Sequence, residues 1–175
     1  MIIYKDIITG DEIISDGYKI VDVDDTVYEI DSKMVKPKAE NFELAGANPS
    51  AEEADDLEGG GGEDLGEPVP ELAIAFELNK MDGFQKQDYK VHIKSYMKKV
   101  KAALQSKGAD EAKVKAFETG AATYLKKILS NFDDYDFYTG KSMDPDGMHV
   151  MINFREDGMT PYMTVWKHAL TEMKV

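Results

Sequence analysis

Two changes of hydrophobic period constrain this chain more than any other feature. Near both ends the apolar side chains recur at every second position, the spacing of strands. Between about 84 and 130 they recur three and four apart, the spacing of helices. Tyr89, Ile93, Tyr96, Val100 and Leu104 step by 4, 3, 4 and 4. This predicts a helix over about 84–106, with Asp82 as N-cap and Gly108 as the stop. Asp110 caps a second predicted helix, about 111–130, whose stripe is Val114, Phe117, Ala121, Leu125 and Ile128. The short link between them predicts an antiparallel helical hairpin. Before it, Ile2, Tyr4, Asp6 and Ile8 alternate with Ile3, Lys5 and Ile7, and Asp24-Asp25 separates two β-branched runs as a hairpin turn would. Leu72, Ile74, Phe76 and Leu78 read as one face of a half-buried strand. After the hairpin, Asp144-Pro145-Asp146-Gly147 and Glu156-Asp157-Gly158 are turn signals that divide residues 135–166 into a meander. Tyr89, Tyr96 and Trp166 read as core. The class is α+β, one domain over 1–175, with the helical hairpin (84–130) inserted between strands.

Composition explains what lies between the first strands and residue 72. The 175 residues are 42% hydrophobic and carry a net charge of −13. Residues 1–79 hold net −16, residues 80–127 net +7 and residues 128–175 net −4. The chain is an acidic body with a basic middle, and a local field of that kind selects partners that the net charge would repel. From about Pro37 to Pro70 the acids crowd together around a run of four glycines, Gly59 to Gly62, with few apolar residues and no period. Such a segment buries too little surface to offset its ordering entropy. It is expected to form a mobile, disordered acidic loop over 38–70. Ser50-Ala51-Glu52-Glu53 matches a capping box, but no amphipathic face follows it.

Several chemistries drop out. There is no cysteine, which removes disulfides, thiolate catalysis, Cys-ligated zinc and iron–sulfur clusters. The net charge excludes a global nucleic-acid footprint. No signal-type apolar region opens the chain and no run approaches a membrane span, so a soluble cytoplasmic protein without a membrane partner is expected. Gly140-Lys141-Ser142 resembles the tail of a phosphate loop, but Tyr135 stands where the motif needs glycine. His92, His149 and His168 lack metal-ligand spacing and read as surface or partly buried side chains. The turn at Asp144 opens like a calcium loop, but Arg155 occupies the place of the bidentate glutamate. What remains for calcium is weak binding by clustered carboxylates, with Glu52, Glu53, Asp55, Asp56, Asp144 and Asp146 as candidates. No other cofactor is expected, and no catalytic residues emerge. Lys90, Lys94, Lys98 and Lys101 fall within about 80° of one another on the first helix at 100° per residue. They read either as a solvated helix face or as a docking strip for an acidic surface such as the tubulin tails.

Many short motifs then resemble one family in order along the chain. They begin with Met1-Ile2-Ile3-Tyr4-Lys5-Asp6, Asp11-Glu12, Lys33-Met34-Val35 and Gly46-Ala47-Asn48-Pro49-Ser50-Ala51-Glu52. Further on stand Thr119-Gly120-Ala121-Ala122, Tyr138-Thr139-Gly140-Lys141, Asp144-Pro145-Asp146-Gly147-Met148 and Thr160-Pro161-Tyr162-Met163. The chain resembles the translationally controlled tumour protein family, also called histamine-releasing factor. The resemblance implies a β-tent of twisted antiparallel sheets, similar to a guanine-nucleotide-free chaperone of small GTPases, with a projecting helical hairpin and an acidic loop. It implies a cytosolic, non-enzymatic, multi-partner protein. Calcium, tubulin and microtubules, apoptosis regulators and growth and survival signalling belong to that description. As an alternative it implies a regulator of a Rheb-type small GTPase, exchange factor or chaperone. Glu12 matches the proposed GTPase-contacting glutamate. Family members often end in cysteine, whereas this chain ends Met173-Lys174-Val175, so no disulfide-linked dimer is expected.

Overall fold

The alternating segments at the two ends of the chain pair with each other, which brings the termini together. The computed structural model describes residues 1–36 and 67–175. The N-terminal elements are β1 (Ile2–Asp6), β2 (Glu12–Ser15), β3 (Val21–Val23), β4 (Val27–Asp31) and β5 (Met34–Val35). After the undescribed residues come β6 (Val69–Pro70), α1 (Glu71–Ala75), β7 (Asn79–Lys80), α2 (Lys86–Ser106) and α3 (Glu111–Ser130). The chain closes with β8 (Asp136–Thr139), β9 (Val150–Phe154), β10 (Pro161–Trp166) and β11 (Leu170–Lys174).

A three-stranded sheet has the order β11-β1-β2, with Ile2 opposite Lys174. A six-stranded sheet has the order β3-β4-β10-β9-β8-β7, so the expected meander forms its centre. The β3–β4 turn is made by Asp24 and Asp25, both at positive φ (54° and 55°), which matches the right-handed twist of the strands it joins. The helical pair packs on the six-stranded sheet. From α2, Tyr89 packs against Phe137 of β8 with ring centroids 4.8 Å apart and the planes tilted by 44°. From α3, Tyr124 meets Trp166 of β10 edge-to-face at 6.0 Å. Tyr89, Tyr96 and Trp166 are all buried.

Four expectations change. Residues 72–78 are not a strand: Leu72 and Ala73 are buried side by side while Ile74 is 47% exposed. The backbone closes locally instead, as α1. A Schellman cap ends it, with Leu78 N–H donating to Ala73 O at 2.8 Å, Glu77 N–H donating to Ile74 O at 3.2 Å, and Glu77 at φ +56°. A seven-residue alternating run is too short to separate the two periods. Helix α2 starts after Gln85, not at Asp82. Phe84 is drawn into an aromatic cluster with Phe137 and His149, and the Gln85 N–H donates to Asp88 Oδ2 at 3.0 Å in a capping box. On α3 the buried position is Tyr124, and Leu125 is only half-buried. The acidic loop, expected over 38–70, lies outside the described residues up to position 66. Its last residues do not belong to it, because Val69–Pro70 pairs with Met34–Val35 as β6. Asp110 and Gly108 take their expected places, with Gly108 at φ +84° and Ala109 N–H returning to Leu104 O at 3.0 Å.

Candidate interaction site

Helix α2 has three faces with different chemistry. One carries Tyr89, Ile93, Tyr96, Val100 and Leu104 into the core. Beside it, Lys90, Lys94, Lys98 and Lys101 all line one trough between α2 and α3, so the structure brings the predicted lysine row together. The trough has a volume of about 560 Å³, and its floor is apolar: Met97 from α2 and Ala121, Leu125 and Leu129 from α3. Lys101 crosses to Glu118 of α3 at 3.0 Å. Both partners are substantially exposed, so this pair adds little stability. Lys90, Lys94 and Lys98 make no ion pair or side-chain hydrogen bond among the described residues. Three like charges four residues apart, about 6 Å in rise, thus stand along one bank of an apolar trough with no compensating charge paired to them among the described residues.

The third face of α2 borders a smaller pocket of about 360 Å³ with the Asp144–Gly147 turn. Here Lys99 approaches Asp146 at 3.8 Å, and Asp144 Oδ1 accepts the Asp146 N–H at 2.8 Å. Behind them His92 and His149 stack face to face, ring centroids 3.5 Å apart and planes 8° apart. His149 is 3% exposed, so its expectation as a surface or partly buried side chain fails; the Asp144 turn folds the ring under α2. His149 Nε2 lies 3.1 Å from Pro145 O and therefore carries the proton. His149 Nδ1 and His92 Nε2 are buried without a partner among the described residues. Burial pushes His92 down to about 3, helped by His149 and Lys99, and pushes His149 down to about 4. Both rings are neutral at physiological pH. Nearly parallel planes cannot aim two in-plane lone pairs at one ion, so the pair is no metal site in this arrangement.

No group of three or more His, Asp or Glu side chains converges among the described residues. Asp144 and Asp146 are held by their own turn and by Lys99. The candidates Glu52, Glu53, Asp55 and Asp56 lie outside the described residues, as does the capping box at Ser50. Glu12 opens β2, exposed and opposite Lys5, with no hydrogen bond or ion pair among the described residues, and it does not line the trough.

Two features escaped sequence reasoning. His92 sits three residues after Tyr89 and four before Tyr96, so helical spacing alone already placed it near the core stripe. Asp6 gave no such signal. Only 2% exposed, it accepts hydrogen bonds from Tyr96 Oη (2.9 Å), Met148 N–H (2.7 Å), Ile8 N–H (3.0 Å) and Thr9 Oγ1 (3.0 Å). It ties β1 to α2 and to the end of the Asp144 turn. Nearby, Ser142 Oγ donates to Asp11 Oδ2 at 2.6 Å.

Antiparallel sheets carrying a helical pair, with a lysine-lined trough between the two helices, define an α+β protein. The sequence places it more narrowly. A family model described as translationally controlled tumour protein matches residues 1–171. The translationally-controlled tumor protein homologs of Alternaria alternata and Saccharomyces cerevisiae are 54% and 47% identical to it, each aligned over all of both chains. A solved structure of the translationally controlled tumor-associated protein of Schizosaccharomyces pombe is 46% identical with a TM-score of 0.76, covering 100% of both chains. A solution structure of the Caenorhabditis elegans protein is 31% identical with a TM-score of 0.71, covering 100% of this chain and 99% of that one. The chain belongs to the translationally controlled tumour protein family. Among the described residues no helix is long and apolar enough to cross a membrane.

Proposed function

We propose that this protein is a cytosolic, non-enzymatic interaction protein that docks acidic partner surfaces, tubulin tails among them, on the lysine row of α2. The observation that carries this reading is the set of three exposed lysines, Lys90, Lys94 and Lys98, standing without ion pairs among the described residues on one bank of an apolar trough. An acidic partner relieves their mutual repulsion and steers encounter at low salt. The roles in growth and survival signalling, through apoptosis regulators among other partners, follow from the family and are proposed on that ground. Weak calcium binding is assigned to the carboxylates at 52–56 and not to Asp144 and Asp146, which the turn and Lys99 already occupy.

The test is co-sedimentation with microtubules. The triple reversal Lys90→Glu, Lys94→Glu, Lys98→Glu is expected to weaken binding at least about tenfold, and removing the acidic tails by limited proteolysis to do the same to the wild type. Unchanged binding in either arm overturns the reading.

A second reading rests on Glu12. An exposed carboxylate at the start of an edge strand, free of partners among the described residues, is available to compete for the magnesium or the phosphate-loop lysine of a Rheb-type GTPase. Glu12→Val should then abolish any acceleration of nucleotide release. Release that is equally fast with the variant rules this role out.

A further inference from the structure

The trough between α2 and α3 is more than a charged strip. Its floor is apolar and its charge is one-sided. Ala121 and Ala122 are too small to close the gap between the helices, and Met97 and Leu125 supply the larger apolar side chains of the floor. The α2 bank is lined with lysines, whereas Glu118 marks the α3 bank. A disordered acidic tail would neutralise the lysines and leave the floor in water. An occupant that satisfies both needs one apolar face and acidic residues along one flank only.

The spacing says more. Lys90, Lys94, Lys98 and Lys101 form a row along one helical face, covering about 16 Å of the α2 axis at roughly 1.5 Å per residue. A partner helix lying alongside presents acids at the matching three- and four-residue intervals. Laid into the trough, it would complete a three-helix arrangement with ridges in grooves. Met97, unbranched and flexible, adapts the floor to different apolar anchors.

We propose that this trough receives an amphipathic helix of a partner protein, with apolar anchors on its inner face and acidic residues on the flank toward α2. The proposal rests on the reading that the lysine row is the docking edge, and it names the class of partner that the edge takes.

The experiment uses the full chain and three fluorescein-labelled peptides of about five helical turns, read by anisotropy at physiological salt. One is amphipathic, with leucines on one face and glutamates along one flank. The second has the same composition with the leucines scattered around the helix. The third is polyglutamate of equal net charge. The amphipathic peptide is expected to bind saturably and at least about tenfold more tightly than the others. Ala122→Trp, an exposed position that plugs the trough and leaves the lysines alone, should remove that advantage while polyglutamate binding stays put. Leu125→Ala repeats the test if the first variant melts early.

Equal binding of the three peptides, all weakened by Lys94→Glu with Lys98→Glu, would overturn the helix proposal and leave the charged strip standing. Polyglutamate binding that ignores the lysine reversal would overturn the charged strip itself. Saturable binding that appears only after residues 40–65 are deleted would mean that the chain's own acidic segment is the occupant, and would overturn the partner helix for the intact protein.

Discussion

Acidification is the most direct perturbation of the stacked histidines. In the folded chain His92 and His149 are held neutral, with values pushed down to about 3 and about 4. In the unfolded chain each returns to about 6.5. The unfolded state therefore binds more protons, and stability falls as pH falls. The contribution is fully present above about 6.5 and is lost progressively as pH drops toward the folded values. At pH 5 each unfolded histidine gains 2.303RT × (6.5 − 5), about 2 kcal/mol, that its folded counterpart does not. His92 keeps some contact with solvent, so the pair together accounts for about 3–4 kcal/mol between pH 8 and pH 5. Around the rings stand Lys99, Asp146, Asp6 and Tyr96. Two contacts favour protonation of His149, the Pro145 carbonyl first and then the charge of Asp6, whose four hydrogen-bond donors already engage it; burial outweighs both. Urea unfolding followed by Trp166, the chain's one tryptophan, measures the effect. The double variant His92→Gln, His149→Gln is the control, because the surface carboxylates titrate alike in both proteins. Wild type should lose about 3–4 kcal/mol more than the variant between the two pH values. Equal losses would refute the argument, as would a His149 proton resonance titrating near 6.

Two further predictions concern packing. Asp6→Ala strands Tyr96 Oη and the Met148 N–H in the interior and should destabilise by about 3–5 kcal/mol, measured by denaturant midpoint. Tyr96→Phe should then add little in the Asp6→Ala background, and full additivity would show that the two do not share a network. Gly120, inside α3, faces Thr26 of the β3–β4 turn so closely that a Cβ would collide with the Thr26 hydroxyl. Gly120→Ala should destabilise by about 1–2 kcal/mol despite its better helix propensity, and Thr26→Ala should restore the loss. A stabilised Gly120→Ala would show that the turn simply moves aside.

The long elements were legible because each repeats its signal. Five apolar positions at helical spacing define α2, and the alternation around Val150 and Ile152 defines the meander. Short elements were not legible. The run at 72–78 satisfied a strand pattern over too few residues, and the hydrogen bonds that made it α1 depend on Ser32 and Lys33, whose oxygens accept the Leu72 and Glu71 N–H groups at 3.2 and 2.8 Å. The lysine row was visible as a row because helical periodicity assigns angles. The trough beside it was not, since that depends on how close α3 lies.

By itself, then, the sequence determined the class, the helical hairpin, the acidic and basic territories and the family, all of which are written in local spacing and ordered motifs. Tertiary structure alone decided that Asp6 is buried under four donors, that His92 stacks on His149 from 57 residues away in sequence, and that the alanines of α3 open a floor beside the lysines of α2. These are contacts between distant segments. Each depends on distances set by packing, and no periodicity along one segment encodes the distance to another.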